Sequence, residues 1–411
     1  MGTGQGRCPA KGKGLSGVAG LADENSLDAF VKGKLDALEK RALRRVLVET
    51  GRGPAAAAER SGRKLVSFCC NDYLNLSQSP RVKEAAKAAI DQYGVGSGGS
   101  RHVTGNHPLY AELETRLARL KETEDCVVFG SGYLANLGIV SALVAPGDLV
   151  LADELSHNCL MMGARLSHAE THIFRHNDLA HLTELLEAHR GKARHCLILT
   201  DGVFSMDGDL APVHEMGALA RRYDAWLMTD DAHGIGVVAD GKGSSFIGGT
   251  KADVPLQMGT LSKAVGGYGG YLCASHAVCD FIRTRARTLI YTTGLPPASV
   301  AAAIAAIDMI ESDVALTRRP VEKAKRFARA LNLPEPQSPI VPVVLGDAQV
   351  TLDASKMLEE EGFLVTGIRP PTVPEGTARL RITFTAEHED TNIDRLADII
   401  RERIMPRKAA E

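Results

Sequence analysis

The sequence predicts an α/β fold: a large, mainly parallel sheet followed by a small C-terminal α+β domain. Three observations predict it. First, between about 66 and 298, short apolar and β-branched runs (CVVFG from Cys126, LVLAD from Leu149, CLILTDG from Cys196, AWLMTDD from Ala225) alternate with helical patterns. Those patterns cover Pro108–Lys121, Tyr133–Leu143 and Val213–Tyr223. Strands alternating with helices give parallel sheets with right-handed crossovers. Second, prolines at 334, 336, 339 and 342 mark an edge after the Ala-rich stretch 298–310. Third, the remaining runs (IVPVVLG, DASKMLEEEGFLVTGI, RLRITFT and a helix from about Asp390) mix both element types. A chain of 411 residues is too long for one simple core, so separate packed units are expected.

The expected organisation has four parts. Residues 1–24 read as a disordered, glycine-rich basic arm. Residues 25–65 form an N-terminal helical segment, with one amphipathic helix over 25–50 capped by Asn25 or Ser26 and broken by GRGPAAAAERSG. Residues 66–298 form the large domain and residues 299–411 the small one. Residues 298–310 are short, Ala-rich and carry Asp308, which suits a buried helix and not a membrane span.

Composition narrows the function classes. The formal net charge of -2 argues against a bulk electrostatic grip on nucleic acid or an anionic membrane. Eight cysteines occur without a C-x-x-C pair, and several sit in apolar runs. They read as reduced core residues of a cytoplasmic protein, with neither a disulfide frame nor a zinc site. The N-terminus lacks the apolar block of a secretion signal, and Gly6 stands where a myristoylation signal wants Ser or Thr.

Residues 126–136 run from a strand through Gly130-Ser131-Gly132 into a helix. Unpaired amides and the positive dipole end make such a helix start a dock for phosphate. The same loop, with Asp153 about 20 residues on, also fits a dinucleotide site. A plain strand-to-helix turn fits it as well. Further along, Asp230-Asp231-Ala232-His233-Gly234 follows one apolar strand, and Thr260-Leu261-Ser262-Lys263 follows another. A lysine set among strand ends, threonines and glycines is placed to lose water and act as a nucleophile. Pyridoxal 5′-phosphate (PLP) chemistry needs such a lysine and a carboxylate against the pyridine nitrogen, which Asp230 suits. His233 suits the ring's phenolic oxygen, and His157 suits a place over the ring. Taken singly, each of these residues has a structural reading as a cap, turn or core histidine; their order together points to chemistry. His168, His172 and His176 have helical spacing for a metal, but Thr171-His172-Ile173-Phe174 reads as extended, so they are expected to be non-ligands.

Seven motifs in this order resemble the α-oxoamine synthase family of fold-type I PLP enzymes. They are Asn71-Asp72-Tyr73-Leu74, the run from Gly96 to Arg101, Gly130 to Asn136, Leu155-Ser156-His157, Gly202 to Gly208, Asp230 to Gly234, and Thr260 to Lys263. The resemblance covers nearly all of the chain after residue 25. It implies that Lys263 carries PLP as a Schiff base and later serves as base. It implies that Asp230 pairs with the ring nitrogen, His157 stacks, and His233 meets the phenolic oxygen. Gly132, Tyr133, Ser205 and Thr260 would complete the cofactor site. A homodimer is implied, in which Thr292 or Thr293 reaches the partner's phosphate. Arg44 would meet the acyl substrate's carboxylate, Arg381 the amino acid's carboxylate and Thr372 the substrate. The stretches 290–297 and 368–381 are most similar to members that join L-alanine to pimeloyl-CoA or a pimeloyl carrier thioester. Glycine or serine with another acyl-CoA is the alternative within the family. A nicotinamide-dependent dehydrogenase on the Gly130 loop, or a noncatalytic PLP-fold protein, leaves more residues unexplained. No serine sits in a G-x-S-x-G elbow.

Overall fold

A computed structural model describes residues 25–41 and 43–405. The expected arm, 1–24, lies outside the described residues. The chain divides into two units, one ending at Glu49 and one starting at Thr50. In the first, a helix spans Ser26–Lys40 and the Asn25 side chain caps it by accepting from the Leu27 amide (3.1 Å). The helix stops ten residues short of the expected end. Leu43 N–H donates to Leu38 O, five residues back, which closes the helix. Beyond it, Arg41, Arg44 and Arg45 would stack like charges at helical spacing, and Val46 and Val48 are poor helix formers.

The second unit opens with β1 (Gly51–Arg52), β2 (Ala57–Arg60) and β3 (Arg63–Ser67). Residues 51–65 therefore form short strands joined by turns, not part of a helical segment. Ser61 and Gly62 both have positive φ (51° and 75°), the requirement of a two-residue hairpin turn. The large sheet then takes β4 (Asp125–Phe129), β5 (Leu149–Asp153), β6 (Glu170–Phe174), β7 (Cys196–Asp201), β8 (Trp226–Asp230), β9 (Leu256–Thr260) and β10 (Gly270–Ala274). The last zone supplies β11 (Ile340–Gly346), β12 (Phe363–Leu364), β13 (Thr366–Ile368) and β14 (Ala378–Thr383).

The large sheet has the order β4-β10-β9-β8-β7-β5-β6. β6 pairs with β5, β5 with β7, β7 with β8 and β8 with β9 in parallel, while β10 runs antiparallel to both β9 and β4. β4 therefore points the same way as β9. The carboxyl ends of β4, β9, β8, β7 and β5 share one edge, where ligands gather in such sheets. Both faces are covered, so these strands are mainly apolar until their carboxyl ends, where Asp153, Asp201 and Asp230 stand. Val127, Leu199 and Met228 pack under the helices Gly132–Leu143 and Asn158–Ser167. Leu149, Leu151 and Ile198 face a core shared with Leu182 and Met216 on the helices Leu179–His189 and Val213–Arg222. Cys126, Val128 and Tyr271 pack under the helix Pro297–Ser312, the Ala-rich segment, whose Ile304, Ala306 and Ile307 are buried. No helix among the described residues is long and apolar enough to cross a membrane.

The three-stranded sheet, ordered β11-β14-β13, packs with helices Val314–Ala330, Ala348–Glu360 and Asp390–Ile399 around Phe327, Phe363 and Phe384. Pro342 lies in β11, an edge strand, where a missing N–H does least harm. β12 joins β3 in parallel, tying the first strands of this unit to the C-terminal zone.

Next to the site runs a fully buried ion pair. Lys121 Nζ meets Asp231 Oδ2 at 2.9 Å, with both side chains at 0% exposure. The Ser244 amide also donates to Asp231, and Lys121 donates to Lys242 O (2.5 Å). Removing one partner leaves the other charge buried and unpaired, which costs about 3–5 kcal/mol. Lys121→Met is therefore expected to lower unfolding free energy by roughly 3 kcal/mol or more in urea titrations. A change within about 0.5 kcal/mol would contradict this role of the pair.

Candidate active site

The carboxyl ends of the strands surround a cavity of about 250 Å³. β4 delivers Ser131 and Gly132, β7 ends in Asp201, β8 ends in Asp230, and β9 ends in Thr260; all line this space with Lys263 and His233. His157 comes from the turn after β5 and caps the helix Asn158–Ser167.

Asp230 and Asp231 are adjacent but serve opposite sides. Asp231 holds Lys121, whereas Asp230 lines the cavity. Asp230 Oδ1 accepts from the Ala232 amide (3.0 Å) and Oδ2 from Asn136 Nδ2 (2.6 Å). Lys263 Nζ lies 2.8 Å from His233 Nε2. Burial lowers the Lys263 pKa, and the carboxylates of Asp230 and Asp201 offset only part of that.

His233 Nδ1 is 2.6 Å from Tyr73 Oη. Burial lifts Tyr73 to about 12, so its hydroxyl keeps its proton, and it also reaches Asn71 Oδ1 at 3.3 Å. His233 is thus held between Tyr73 on its Nδ1 side and Lys263 on its Nε2 side. Burial, reinforced by the Lys263 charge, drives the His233 pKa well below its usual value, so the ring is neutral. His157 is also lowered, by burial first, and then by Lys263 against the opposing pull of Asp230. Asp201 moves the other way: burial and the neighbouring Asp230 raise it well above a normal carboxyl. Its Oδ1 accepts from the His157 amide at 3.0 Å, which seats that residue.

The glycine loop is shaped for close approach. A Cβ on Gly132 would stand 3.3 Å from Met258 Cε and 3.4 Å from Thr260 Cβ. One on Gly270 would stand 2.6 Å from Ser131 C and O, so the loop lies directly on β10. Ser131 caps the helix Gly132–Leu143 by accepting from the Leu134 amide (3.2 Å). Thr260 Oγ1 reaches Ser262 Oγ and Gly269 O, both at 2.8 Å.

These groups fit PLP, the cofactor the sequence implied. The cavity offers an amine for its aldehyde, a carboxylate for its ring nitrogen and two neutral imidazoles for its ring and phenol. A helix start with serine and threonine hydroxyls suits its phosphate. The dinucleotide reading fares worse. Asp153, its ribose ligand, is fully buried and already accepts from the amides of Leu155 and Asn177 (both 2.8 Å).

The structure brings Lys263, Asp230, His233, His157, Gly132, Tyr133 and Thr260 together around this cavity. The other sequence candidates stand apart from its lining. Arg381 is buried on β14, where Nε donates to Ser205 O (2.5 Å) and Nη1 to Asn71 Oδ1 (3.2 Å). Its charge still acts on Lys263 and His233. Thr292 packs near Gly130, and Thr293 bridges to Ser100. Thr372 sits in an exposed turn, its amide donating to Arg369 O (3.1 Å). Arg44 belongs to the first unit and pairs there with Glu39 (2.6 Å). Residues that sequence reasoning left without a role are Asp201, Tyr73, Asn136 and Cys159. Asp201 closes its strand just as Asp230 does, and that was a usable signal.

The comparisons with known proteins come to bear on this geometry. A model described as aminotransferase class I and II matches residues 63–400. The chain belongs to this family. It is 60% identical over 376 residues to 8-amino-7-oxononanoate synthase of Granulibacter bethesdensis, covering 92% of this chain and 97% of that one. It is 58% identical over 386 residues to the protein of the same name from Maricaulis maris, covering 94% and 98%. Among solved structures it resembles Sphingomonas wittichii serine palmitoyltransferase, with a TM-score of 0.87 and 30% identity over 95% of this chain and 100% of that one. Within the aminotransferase class I and II family it thus stands with the α-oxoamine synthases, and it has their fold-type I architecture.

The three spaced histidines do not converge. β6 is extended, as expected, which separates them. His168 ends a helix at φ 57°, and His172 pairs with Glu170 (2.7 Å) and lies over His189. His176 bridges Asp153 (3.0 Å) and Asp209 (2.8 Å). Burial opposes its charge, but hydrogen bonds to the two carboxylates prevail and raise it to about 10. Its folded pKa is thus above the unfolded value of about 6.5. Its contribution to stability is full below about pH 6.5 and is lost as pH rises toward 10. The stability gap between wild type and His176→Gln is therefore expected to be widest near pH 6 and to shrink steadily toward pH 10. Denaturant titrations at several pH values check this, and a gap independent of pH would contradict it.

Proposed function

We propose that the chain is an 8-amino-7-oxononanoate synthase. It joins L-alanine to pimeloyl-CoA, or a pimeloyl carrier thioester, with release of the thiol and CO₂, a step of biotin synthesis. The observation that carries this reading is the cavity in which the buried Lys263 amine, Asp230, His157 and His233 converge. The 58–60% identity to relatives of that name supports the substrate pair.

PLP, when bound, supplies an aldehyde that takes amino groups as Schiff bases and a ring that accepts electrons from the adjacent carbon. Asp230, fixed by two donors, would hold the ring nitrogen's proton and keep that ring electron-poor. His157 would cover the ring and exclude water. His233, held in place by Tyr73, would meet the phenolic oxygen. Lys263 would hold the cofactor's aldehyde carbon in the resting enzyme and would be free as a base once the substrate amine occupies that carbon. Its amine, which burial biases toward the unprotonated form, would then remove the proton from alanine Cα. The Cα electron pair forms a bond to the thioester carbonyl carbon, and the thiolate leaves. After the carboxylate departs as CO₂, Lys263 returns a proton to the same carbon. Arg381 offers two N–H groups to the amino acid's carboxylate, the bidentate grip to which guanidinium is suited.

The resemblance further assigns Arg44 and Thr372 to substrate contacts, Ser205 to the anchoring of the cofactor, and Thr292 or Thr293 to the phosphate bound by the partner subunit. The same reading takes the enzyme as a homodimer in a reducing, cytoplasmic setting; the described cysteines are all free thiols. A second reading changes only the substrates. The likeness to serine palmitoyltransferase favours testing serine and glycine with longer acyl thioesters.

Product assays with an amino acid and thioester panel decide between these. Alanine with pimeloyl-CoA is expected to give the highest kcat/KM. Lys263→Ala should show no product above background. Arg381→Lys should raise the KM for alanine roughly tenfold, because a point charge replaces a fork. Normal turnover by Lys263→Ala would overturn the mechanism, and a preference for serine or glycine would move the substrate assignment.

A further inference from the structure

Asp230 is not aimed by its strand alone. Its Oδ2 accepts a 2.6 Å hydrogen bond from Asn136 Nδ2, across 94 residues of sequence. Asn136 stands on the helix Gly132–Leu143, fully buried, and is not part of the cavity lining. Its Nδ2 also lies 2.9 Å from Cys159 Sγ. That sulfur lies 2.7 Å from His157 Nδ1, which also accepts from the Cys159 amide (3.3 Å). Burial, with Asp230 nearby, pushes the Cys159 thiol well above its usual range, so it keeps its proton and can donate it. His157 Nδ1 is then the acceptor. The connections run from Asp230 through Asn136 and Cys159 to His157.

The orientation of the amide is informative. Asn136 Oδ1 is buried and has no hydrogen-bond partner. Buried amide oxygens ordinarily find a donor. Turning the amide over would offer its oxygen the thiol proton, but would set that oxygen against an Asp230 carboxylate oxygen. The orientation adopted leaves an acceptor unmet so that both Nδ2 hydrogens serve Asp230 and Cys159.

We propose that Asn136 and Cys159 form a brace that holds Asp230 and His157 as one unit, fixing the carboxylate under the cofactor's ring nitrogen and the imidazole over its face. This rests on the reading of the cavity as a PLP site. Asn136 is a positioning residue that acts through Asp230; Cys159 acts through His157. The charged and titratable groups facing Asp230 are Lys263, Asp201, His157, Cys159 and Tyr271. None of them replaces the Asn136 donor on Oδ2.

The test uses the full chain stripped of cofactor, with PLP affinity and visible absorption followed across pH. Asn136→Asp keeps the size of the side chain but puts a second acid where the donor was. Two carboxyls so close share a proton. PLP affinity is expected to fall roughly tenfold at pH 8 and to recover at lower pH, where a proton restores a donor. Wild type should show no such recovery. Cys159→Ser should hold PLP like wild type, since a hydroxyl both accepts and donates, whereas Cys159→Ala should bind more weakly and shift the bound cofactor's absorption. Wild-type affinity in Asn136→Asp, or a loss that is the same at both pH values, would overturn the brace. If Asn136→Asp does not fold, as melting curves report, the serine and alanine variants decide: equal behaviour of the two overturns it. Failure of wild type itself to bind PLP would instead overturn the cofactor reading.

Discussion

Placing an amine and two carboxylates in one small buried space is the constraint on which the rest of the site depends. Lys263, Asp230 and Asp201 line the same cavity, and Asp230 and Asp201 are almost fully buried. Desolvation opposes every one of those charges. The site answers by giving each group a specific state. Lys263 is pushed toward the free amine and Asp201 toward the acid, while Asp230 receives two hydrogen-bond donors. The two histidines are pushed toward the neutral form. Burial thus biases the lysine, Asp201 and the histidines toward their uncharged forms, which suits acid–base work on a bound amino acid.

The parallel sheet makes this arrangement possible. Strands β7, β8 and β9 are neighbours in register, and Asp201 lies directly opposite Asp230. Adjacent residues leaving β8 part company, so Asp230 serves the cavity while Asp231 ties Lys121 into the core. The antiparallel strand β10 brings Gly270 beneath the Gly130–Gly132 loop, and only a residue without Cβ permits that contact. The helix start that follows then faces the same space as the lysine.

Much of this was legible in the sequence, for physical reasons. Strands buried on both faces must be apolar throughout, so β5, β7 and β8 announced themselves. Asp230, His233 and Lys263 follow such runs, and strand ends are where ligands bind. The partners of these residues were not legible. Tyr73 reaches His233 across 160 positions, and Asn136 reaches Asp230 across 94. Nothing local in Asn71-Asp72-Tyr73 or Leu134-Ala135-Asn136 specifies those contacts. The N-terminal helix was overextended because apolar spacing continued past the point where clustered arginines end it. The strands at 51–67 were missed although Ser61-Gly62 marks a hairpin.

Borohydride reduction of the PLP-loaded protein followed by peptide mapping tests the central claim most directly. Reduction turns a Schiff base into a stable secondary amine and leaves the label on the lysine that carried it. The account predicts one phosphopyridoxyl group, on Lys263, with loss of the visible absorption band. A label on another lysine, or none on a protein that does bind PLP, would contradict it.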